Sequence, residues 1–440
     1  MAMAIQSLKS LILGNRLRKN VAANYFGSAT VILGPLLSMP FYLAFLGPKQ
    51  YGLIGFVLLI QASLNLLDAG LGQALVKEVS LSLEAQDGRC RASRILFNIE
   101  RFYWAFAFAV AVFTALMSNF IANYWLKLGS LPISLGVISV CGAALIFLFQ
   151  FPGAFYRTFL IGSQAQVPLN KILIVMNIFR HIGGVVLVYL YPSLVTYLAW
   201  QALIALAETL VRRVKVLTLL GSSDHRDYWD MKDFSHFFRL IRGLSVAISV
   251  GAFFVQMDKV ILSKMVPIEE FGYYTIASSI SLGVLQLIYP ILQAVQPKAI
   301  SLRDDPVLIR QLYNKLFLII FSVLAVVILG FFLAGQTLMS LWLRHPEAAR
   351  HVYEYCSLLL LGTAFNALYN VGYMDWIVSG KARNIFALNL VSLALMIILL
   401  PIAIHAYGIK GATLGWVVVN LIAFCCSLGW LRRGGADGAI

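Results

Sequence analysis

A lysine inside an apolar run is the first residue whose type and spacing suggest chemistry. Lys259 lies in the run 243–263, and polar residues recur at helical spacing on its side of the predicted helix, namely Ser245, Ser249, Gln256 and Ser263. Charges in membrane-spanning helices are costly and mark functional sites by default. An ammonium in a region of low dielectric attracts anions such as a diphosphate or an acidic sugar. The alternative is a lysine that extends to the nearby interface.

Arg180 is the second charge within an apolar run, near the middle of residues 170–190. Asn177 lies on the same predicted helix face, and His181 is the next residue. A guanidinium holds phosphate through paired hydrogen bonds, so Arg180 and Asn177 are candidate substrate-binding residues. The alternative for Arg180 is a structural ion pair, with Glu208 as the partner. His181 is a candidate for coupling or gating because imidazole titrates near neutral pH, and the alternative is a hydrogen-bonded interior histidine.

Two carboxylates are further candidates for coupling or gating. Asp258 adjoins Lys259, and because neighbours on a helix point about 100° apart, we expect the two not to face each other. Asp258 would then pair with another helix or carry a proton or a sodium ion. Asp68 completes a polar stripe with Gln61 and Asn65 near a helix end, where a helix-end contact is the alternative.

Amide side chains form another polar face on the predicted helix 354–378. Thr363, Asn366 and Asn370 recur at helical spacing there, and the two asparagines are candidate ligands for sugar hydroxyls. Hydrogen bonding between helices explains them equally well. No cofactor, metal site or catalytic residue is predicted, because the five cysteines lack metal-ligand spacing and no phosphate-binding loop or nucleophile elbow occurs.

The elements that carry these residues are membrane-spanning helices. Of the 440 residues, 60% are hydrophobic and 12% are charged, whereas soluble domains are about 25% charged. Uncharged runs reach the roughly 20 residues needed to cross a bilayer. The sequence predicts an all-α polytopic membrane protein with about twelve spans: 21–46, 51–72, 102–124, 131–152, 170–190, 194–212, 243–263, 271–295, 315–337, 354–378, 384–405 and 411–431.

The positions of the basic residues predict the orientation. With the N-terminus in the cytoplasm, 26 of the 34 Lys and Arg residues fall in cytoplasmic segments or at the cytoplasmic ends of spans, and both termini are on that side. The net charge of +15 is therefore mostly a topology signal, and the expected partners are membrane lipids and not nucleic acid.

An internal repeat relates the two halves of the chain. Tyr51-Gly52 recurs as Phe271-Gly272, 220 residues later, which indicates two six-helix halves of the kind that transporters use. The predicted organisation is an N-terminal bundle 1–212 with a cytoplasmic segment 1–20, a central cytoplasmic linker 213–242 and a C-terminal bundle 243–440.

Several short motifs resemble those of the Wzx-type polysaccharide flippases. They are Asn20 with Gly34-Pro35, Leu46-Gly47-Pro48 with Tyr51-Gly52, Leu67-Asp68-Ala69-Gly70-Leu71, Asp258-Lys259-Val260-Ile261-Leu262 and Phe271-Gly272-Tyr273-Tyr274. These flippases belong to the superfamily that includes the MATE drug antiporters and the lipid II flippases. The resemblance covers most of the chain in layout and identifies the superfamily better than the substrate.

The resemblance implies a V-shaped transporter with alternating access in the bacterial inner membrane. Its substrate would be an oligosaccharide repeat unit linked to undecaprenyl diphosphate, moved for O-antigen or other surface polysaccharide assembly. It also implies coupling to an H⁺ or Na⁺ gradient, an acidic residue at Asp258, and polysaccharide polymerase and chain-length regulator proteins as partners.

Two alternatives stay open. A MATE-like antiporter of organic cations is disfavoured because Lys259 and Arg180 would repel such substrates. A membrane enzyme, such as a polysaccharide polymerase or an acyltransferase, usually has a large outer loop, whereas the longest outer loop predicted here, 338–353, has about 16 residues. That loop does contain His345, Glu347 and His351, and such enzymes can instead carry a catalytic histidine and carboxylate at the membrane surface.

Overall fold

A computed structural model describes residues 15–84, 88–221 and 254–432, and nearly all of these residues are helical. The helices are α1 Asn15–Asn65, α2 Ala69–Glu84, α3 Gly88–Leu116, α4 Ile133–Gly162, α5 Gln166–Ile178, α6 Gly184–Leu190, α7 Leu194–Leu220, α8 254–265, α9 Ile268–Ser301, α10 Pro306–Leu343, α11 Pro346–Val378, α12 Ala382–Tyr407 and α13 Ile409–Ser427. Short 3₁₀ segments, Leu66–Asp68 and Leu428–Arg432, follow α1 and α13, and a short helix Ser118–Phe120 and a π-helical turn Ile121–Trp125 lie between α3 and α4.

Local sequence determines where several helices begin. Pro306 and Pro346 each occupy the first turn of a helix, where the missing N–H costs nothing. The side chain of Asp305 accepts hydrogen bonds from Val307 N and Leu308 N, and it thereby caps α10. His345 caps α11 in the same way through its ring nitrogen.

Nine helical segments within the described ranges are long and apolar enough to cross a membrane. This result confirms the all-helical membrane class. The number of segments is three lower than the twelve predicted spans, and each missing span has a specific reason. The spans 21–46 and 51–72 follow each other directly across the break at Gly47 in α1, and the second continues into the 3₁₀ segment Leu66–Asp68 and the start of α2. Most of 243–263 lies outside the described residues. The span 354–378 is part of α11, a helix of 33 residues that polar side chains such as Asn366 make less apolar.

One boundary is confirmed, because the predicted break between the spans 21–46 and 51–72 falls at Gly47, whose φ of 77° and ψ of 166° are not helical and separate two helical segments within α1. Several other predicted boundaries were wrong. The third span was expected to begin at residue 102, but α3 begins at Gly88. The fourth and sixth spans were expected to end at residues 152 and 212, but α4 and α7 continue to Gly162 and Leu220. The predicted boundary between the N-terminal bundle and the linker therefore falls inside α7.

The described residues form two compact units. Unit 1 comprises 15–46, 60–84, 88–123 and 132–221, and unit 2 comprises 47–59, 124–131 and 254–432. In unit 1, the core contains an aromatic group in which the Tyr103 ring lies 4.9 Å from that of Phe151 and 5.0 Å from that of Phe155. In unit 2, α11 packs against α9, α10 and α13.

The two repeated glycines meet inside unit 2. A Cβ added to Gly52 would lie 1.9 Å from the carbonyl oxygen of Ile268, and one added to Gly272 would lie 2.9 Å from the Cα of Gly52. The motif that revealed the repeat is therefore a place where two helices approach backbone to backbone, and only glycine permits that distance.

We expect Gly52→Ala to destabilise the protein by about 1–3 kcal/mol, because the added methyl group forces the backbone of α9 to move. The melting temperature of the detergent-purified protein measures this loss. Gly283→Ala in α9 is the matched control, since nothing lies within 4 Å of a Cβ at that position. Equal melting temperatures for the two variants would contradict the close approach.

Candidate functional site

Arg180 lies where the regular helix is interrupted. Between α5 and α6 the chain forms a π-helical turn, Phe179–Gly183, which contains both Arg180 and His181. The indole nitrogen of Trp200 donates a hydrogen bond to the carbonyl oxygen of Phe179 at 3.1 Å, and Gly183 leaves room for the indole ring. Such one-turn π segments are rare and often occur at functional sites.

Glu208 joins two arginines in unit 1. Its Oε2 lies 2.6 Å from an Nη of Arg180, and its Oε1 contacts Arg212, four residues later on α7. Arg212 also donates to the carbonyl oxygen of Gly153 at 3.2 Å. The ion pair with Glu208, which was the alternative for Arg180, is present, while a role of Arg180 in substrate binding stays a prediction.

Further charges lie close to this group. Arg213 and the hydroxyl of Tyr156 both donate to Glu100 Oε1, each at 2.5 Å. Arg157 interacts electrostatically with both Asp68 and Arg212. None of these residues was a predicted site residue, because Arg157 and Arg213 were expected to lie in loops. The i,i+4 spacing of Glu208 and Arg212 was a signal that could have found the pair.

The other candidates in unit 1 have separate surroundings. The Nδ1 of His181 lies 3.1 Å from the hydroxyl of Ser38, and its ring packs against Gly34. This is the arrangement expected of a hydrogen-bonded interior histidine. Asp68 accepts a hydrogen bond of 2.7 Å from Tyr103, a residue of α3. Asn177 is partly exposed on α5, three residues before Arg180.

In unit 2, Lys259 and Asp258 form a buried ion pair. The ammonium of Lys259 lies 3.3 Å from Oδ1 of Asp258, and the hydroxyl of Tyr274 donates to Oδ2 at 2.6 Å. The expectation that the two neighbours would not face each other was wrong. A lysine side chain is long and flexible enough to fold back towards the preceding residue, although the two Cβ atoms diverge.

A narrow cavity, too tight to hold a water molecule, adjoins this pair. Across it, the hydroxyls of Ser281 and Thr363 lie 2.7 Å apart, and the indole of Trp416 donates to Thr363 at 3.3 Å. The residues that line the cavity are Asp258, Lys259, Ser278, Ser281, Leu282, Leu359, Thr363 and Trp416. Thr363 belongs to the polar face predicted on the helix 354–378, whereas Ser278, Ser281 and Trp416 were not predicted.

The remaining candidates in unit 2 lie nearby on the chain. The amide nitrogen of Asn366 donates to Asn420 Oδ1 at 2.7 Å, which is the interhelical bond that was the alternative to sugar binding. Asn370 donates to the carbonyl oxygen of Asn366 at 2.8 Å. Gln256 is partly exposed, whereas Ser263 is buried and accepts a hydrogen bond from Trp125. Ser245 and Ser249 lie outside the described residues.

A family profile described as polysaccharide biosynthesis protein matches residues 43–345, more than half of the chain. The chain belongs to this family. The match includes all the candidates from Asp68 to Lys259, while Asn366 and Asn370 lie beyond it. The chain is also 21% identical over 424 residues to a Shigella flexneri protein named "Putative O-antigen transporter", with 94% of this chain and 97% of that protein covered.

Solved structures of membrane transporters share the fold. An inward-facing multidrug resistance MATE transporter matches with a TM-score of 0.73 at 13% identity, covering 92% of this chain and 96% of the other. The lipid II flippase MurJ, in an inward closed conformation, matches with a TM-score of 0.68 at 16% identity, covering 94% and 87%. The family match thus confirms a polysaccharide biosynthesis protein, and these structures confirm the transporter fold that the resemblance implied.

The hydroxyl of Thr363 on α11 is hydrogen-bonded to Ser281 on α9 and to Trp416 on α13. Its removal tests how much these bonds between helices stabilise the protein. We expect Thr363→Val to lower the free energy of unfolding by about 1–3 kcal/mol, because Ser281 and Trp416 both lose a buried partner. Thermal unfolding in detergent measures the effect. Thr337→Val on α10 is the control, since Thr337 is exposed. A melting temperature unchanged by Thr363→Val would contradict the hydrogen-bonded wall.

Proposed function

We propose that this protein is a flippase that moves oligosaccharide repeat units, linked to undecaprenyl diphosphate, across the bacterial inner membrane for O-antigen or other surface polysaccharide assembly. The observation that carries the proposal is the pair of arginines, Arg180 and Arg212, held together inside the membrane-spanning part of a polysaccharide biosynthesis protein. Guanidinium groups bind phosphate oxygens in a fixed geometry, and low dielectric strengthens the attraction.

The transport cycle would expose this anion site to each side of the membrane in turn. Arg180 would bind the diphosphate, with Asn177 beside it. Lys259, Gln256, Asn366 and Asn370 would contact the acidic or hydroxylated sugars. The chain would convert no substrate chemically, so the work of the residues is binding, release and the exclusion of competing ions.

We also propose a membrane topology, an energy source and partner proteins. Both termini would lie in the cytoplasm, in keeping with the basic residues of the cytoplasmic segments. An H⁺ or Na⁺ gradient would drive the cycle through Asp258, Asp68 or His181, the three titratable candidates inside spans. A polysaccharide polymerase and a chain-length regulator would use the product on the outer side.

An antiporter of small molecules is the second candidate, and the TM-score of 0.73 to a MATE transporter favours it. That likeness, at 13% identity, concerns the fold alone. The interior cations argue against organic cations as cargo, because like charges repel strongly where the dielectric is low.

Deletion of the gene in its host, followed by gel analysis of surface polysaccharide, tests the function. We expect the polysaccharide to be lost, complete lipid-linked repeat units to accumulate by mass spectrometry of lipid extracts, and the wild-type gene to restore both. Repeat units of altered structure would indicate an enzyme. Normal polysaccharide together with greater drug sensitivity would indicate the antiporter.

A further inference from the structure

The group around Glu208 holds more positive than negative charge. One carboxylate contacts both Arg180 and Arg212, while Arg213 is paired with Glu100. Even if Asp68 offsets Arg157, the interacting side chains in the described part of unit 1 lack one negative charge. An uncompensated charge in a membrane-spanning region is costly, so this group would gain from one more anion.

Arg212 supplies a second and independent sign of a missing ligand. Its side chain is 8% exposed, and its Nε is a buried donor without a hydrogen-bond partner in the described residues. Buried donors in folded proteins are nearly always satisfied, so an unsatisfied one needs an explanation. A ligand oxygen on this side of the guanidinium would provide the partner.

The two arginines are tied to Glu208 differently. Arg212 lies one helical turn from Glu208 on α7 and is also bound to the carbonyl oxygen of Gly153. Arg180 comes from the π-helical turn of another segment and reaches Glu208 with an Nη at 2.6 Å. A guanidinium has five N–H donors, so Arg180 can exchange the carboxylate for a phosphate group while Arg212 keeps its place.

We propose that Glu208 is the positioning residue of the anion site and acts as an internal substitute for the substrate. In the empty protein its carboxylate occupies Arg180 and holds it beside Arg212. The diphosphate of the substrate carries two negative charges where a carboxylate carries one, and it displaces Glu208 from Arg180 on binding. When the substrate leaves, Glu208 takes Arg180 back, which favours release. This inference rests on the proposed function and extends it to the control of affinity.

The direction of one affinity change tests the proposal. Glu208→Gln keeps the size of the side chain and removes its charge, so the competitor for Arg180 is lost. We expect inorganic pyrophosphate to bind the purified full-length variant about tenfold more tightly or better, measured by titration calorimetry at fixed ionic strength. A carboxylate with a purely structural role predicts the opposite, because its loss would loosen the two arginines and weaken binding.

Glu354→Gln is the matched control. Glu354 is also a carboxylate shared by two cations, 3.3 Å from Arg350 and 3.0 Å from Lys410, but it lies in unit 2. We expect its substitution to leave pyrophosphate affinity unchanged. Adding Arg180→Gln to Glu208→Gln should abolish the gain. If Glu208→Gln fails to fold, Glu208→Asp shortens the reach towards Arg180 and should give a smaller gain in affinity.

Unchanged or weaker pyrophosphate binding by a folded Glu208 variant overturns the inference. Tighter binding by Glu354→Gln overturns it as well, because the effect would then reflect net charge alone. The deletion experiment decides the flippase assignment separately. If the deletion strain makes normal polysaccharide while the Glu208→Gln protein binds pyrophosphate more tightly, the anion site is supported and the proposed polysaccharide substrate is not.

Discussion

Replacing Arg180 with glutamine is expected to abolish the restoration of surface polysaccharide in the deletion strain without unfolding the protein. Glu208 remains paired with Arg212 in this variant, so no carboxylate is left uncompensated. The charge of the group around Glu208 also becomes balanced, and the melting temperature should therefore stay the same or rise. Transport should fail because the phosphate loses a guanidinium that it cannot replace.

The size of the loss follows from the bonds removed. Two charge-assisted hydrogen bonds contribute about 1.5–3 kcal/mol each, which corresponds to a loss of roughly 100-fold or more in affinity. Arg180→Lys should retain part of the function, since it keeps the charge but not the fork geometry. Arg350→Gln is the control, because Arg350 pairs with Glu354 and its side chain is 76% exposed. Full complementation by Arg180→Gln, at wild-type expression, would remove Arg180 from the substrate path.

Removal of Asp258 should have the largest effect on stability. Asp258→Ala leaves the ammonium of Lys259, a residue 9% exposed, without its carboxylate, and breaking a buried pair in this way costs about 3–5 kcal/mol. Lys259→Met should cost less, because the remaining carboxylate of Asp258 keeps the hydrogen bond donated by the hydroxyl of Tyr274.

The double variant makes this prediction specific. Asp258→Ala combined with Lys259→Met should recover most of the stability lost by Asp258→Ala alone, since it leaves no unpaired charge. Thermal unfolding and the yield of inserted protein measure the three variants. Lys259→Met should also reduce transport while remaining folded, as expected of a substrate contact. No recovery of stability in the double variant would contradict a coupled buried pair.

The buried charges are balanced differently in the two units. Among the interacting side chains described in unit 1, the cations outnumber the carboxylates and one guanidinium donor has no partner within the described residues, so the arginines are suited to an external anion. In unit 2 the charges of Asp258 and Lys259 cancel, and Tyr274 satisfies the carboxylate further. We therefore expect substitutions at Arg180 to affect mainly transport and substitutions at Asp258 to affect mainly folding.

The sequence by itself determined that the chain crosses a membrane as helices and that Arg180 is a charge inside one of the spans. Insertion into a bilayer depends on a sum over consecutive residues, so it can be read from local composition. The repeat of Tyr51-Gly52 as Phe271-Gly272 was visible for a similar reason, because a close backbone approach requires a particular residue type at each site.

The tertiary structure alone decided which charges meet. An ion pair with Glu208 was one of two predictions for Arg180, and the structure contains it. Arg212, Arg213 and Glu100 form ion pairs because α3 and α7 extend beyond their predicted ends and pack in the same unit. The contact between Asp258 and Lys259 depends on a side-chain rotamer that helix geometry does not reveal. Ion pairing depends on how far each helix extends, how it is rotated and where its long side chains fold, and these are properties of packing between distant segments, which the local sequence does not specify.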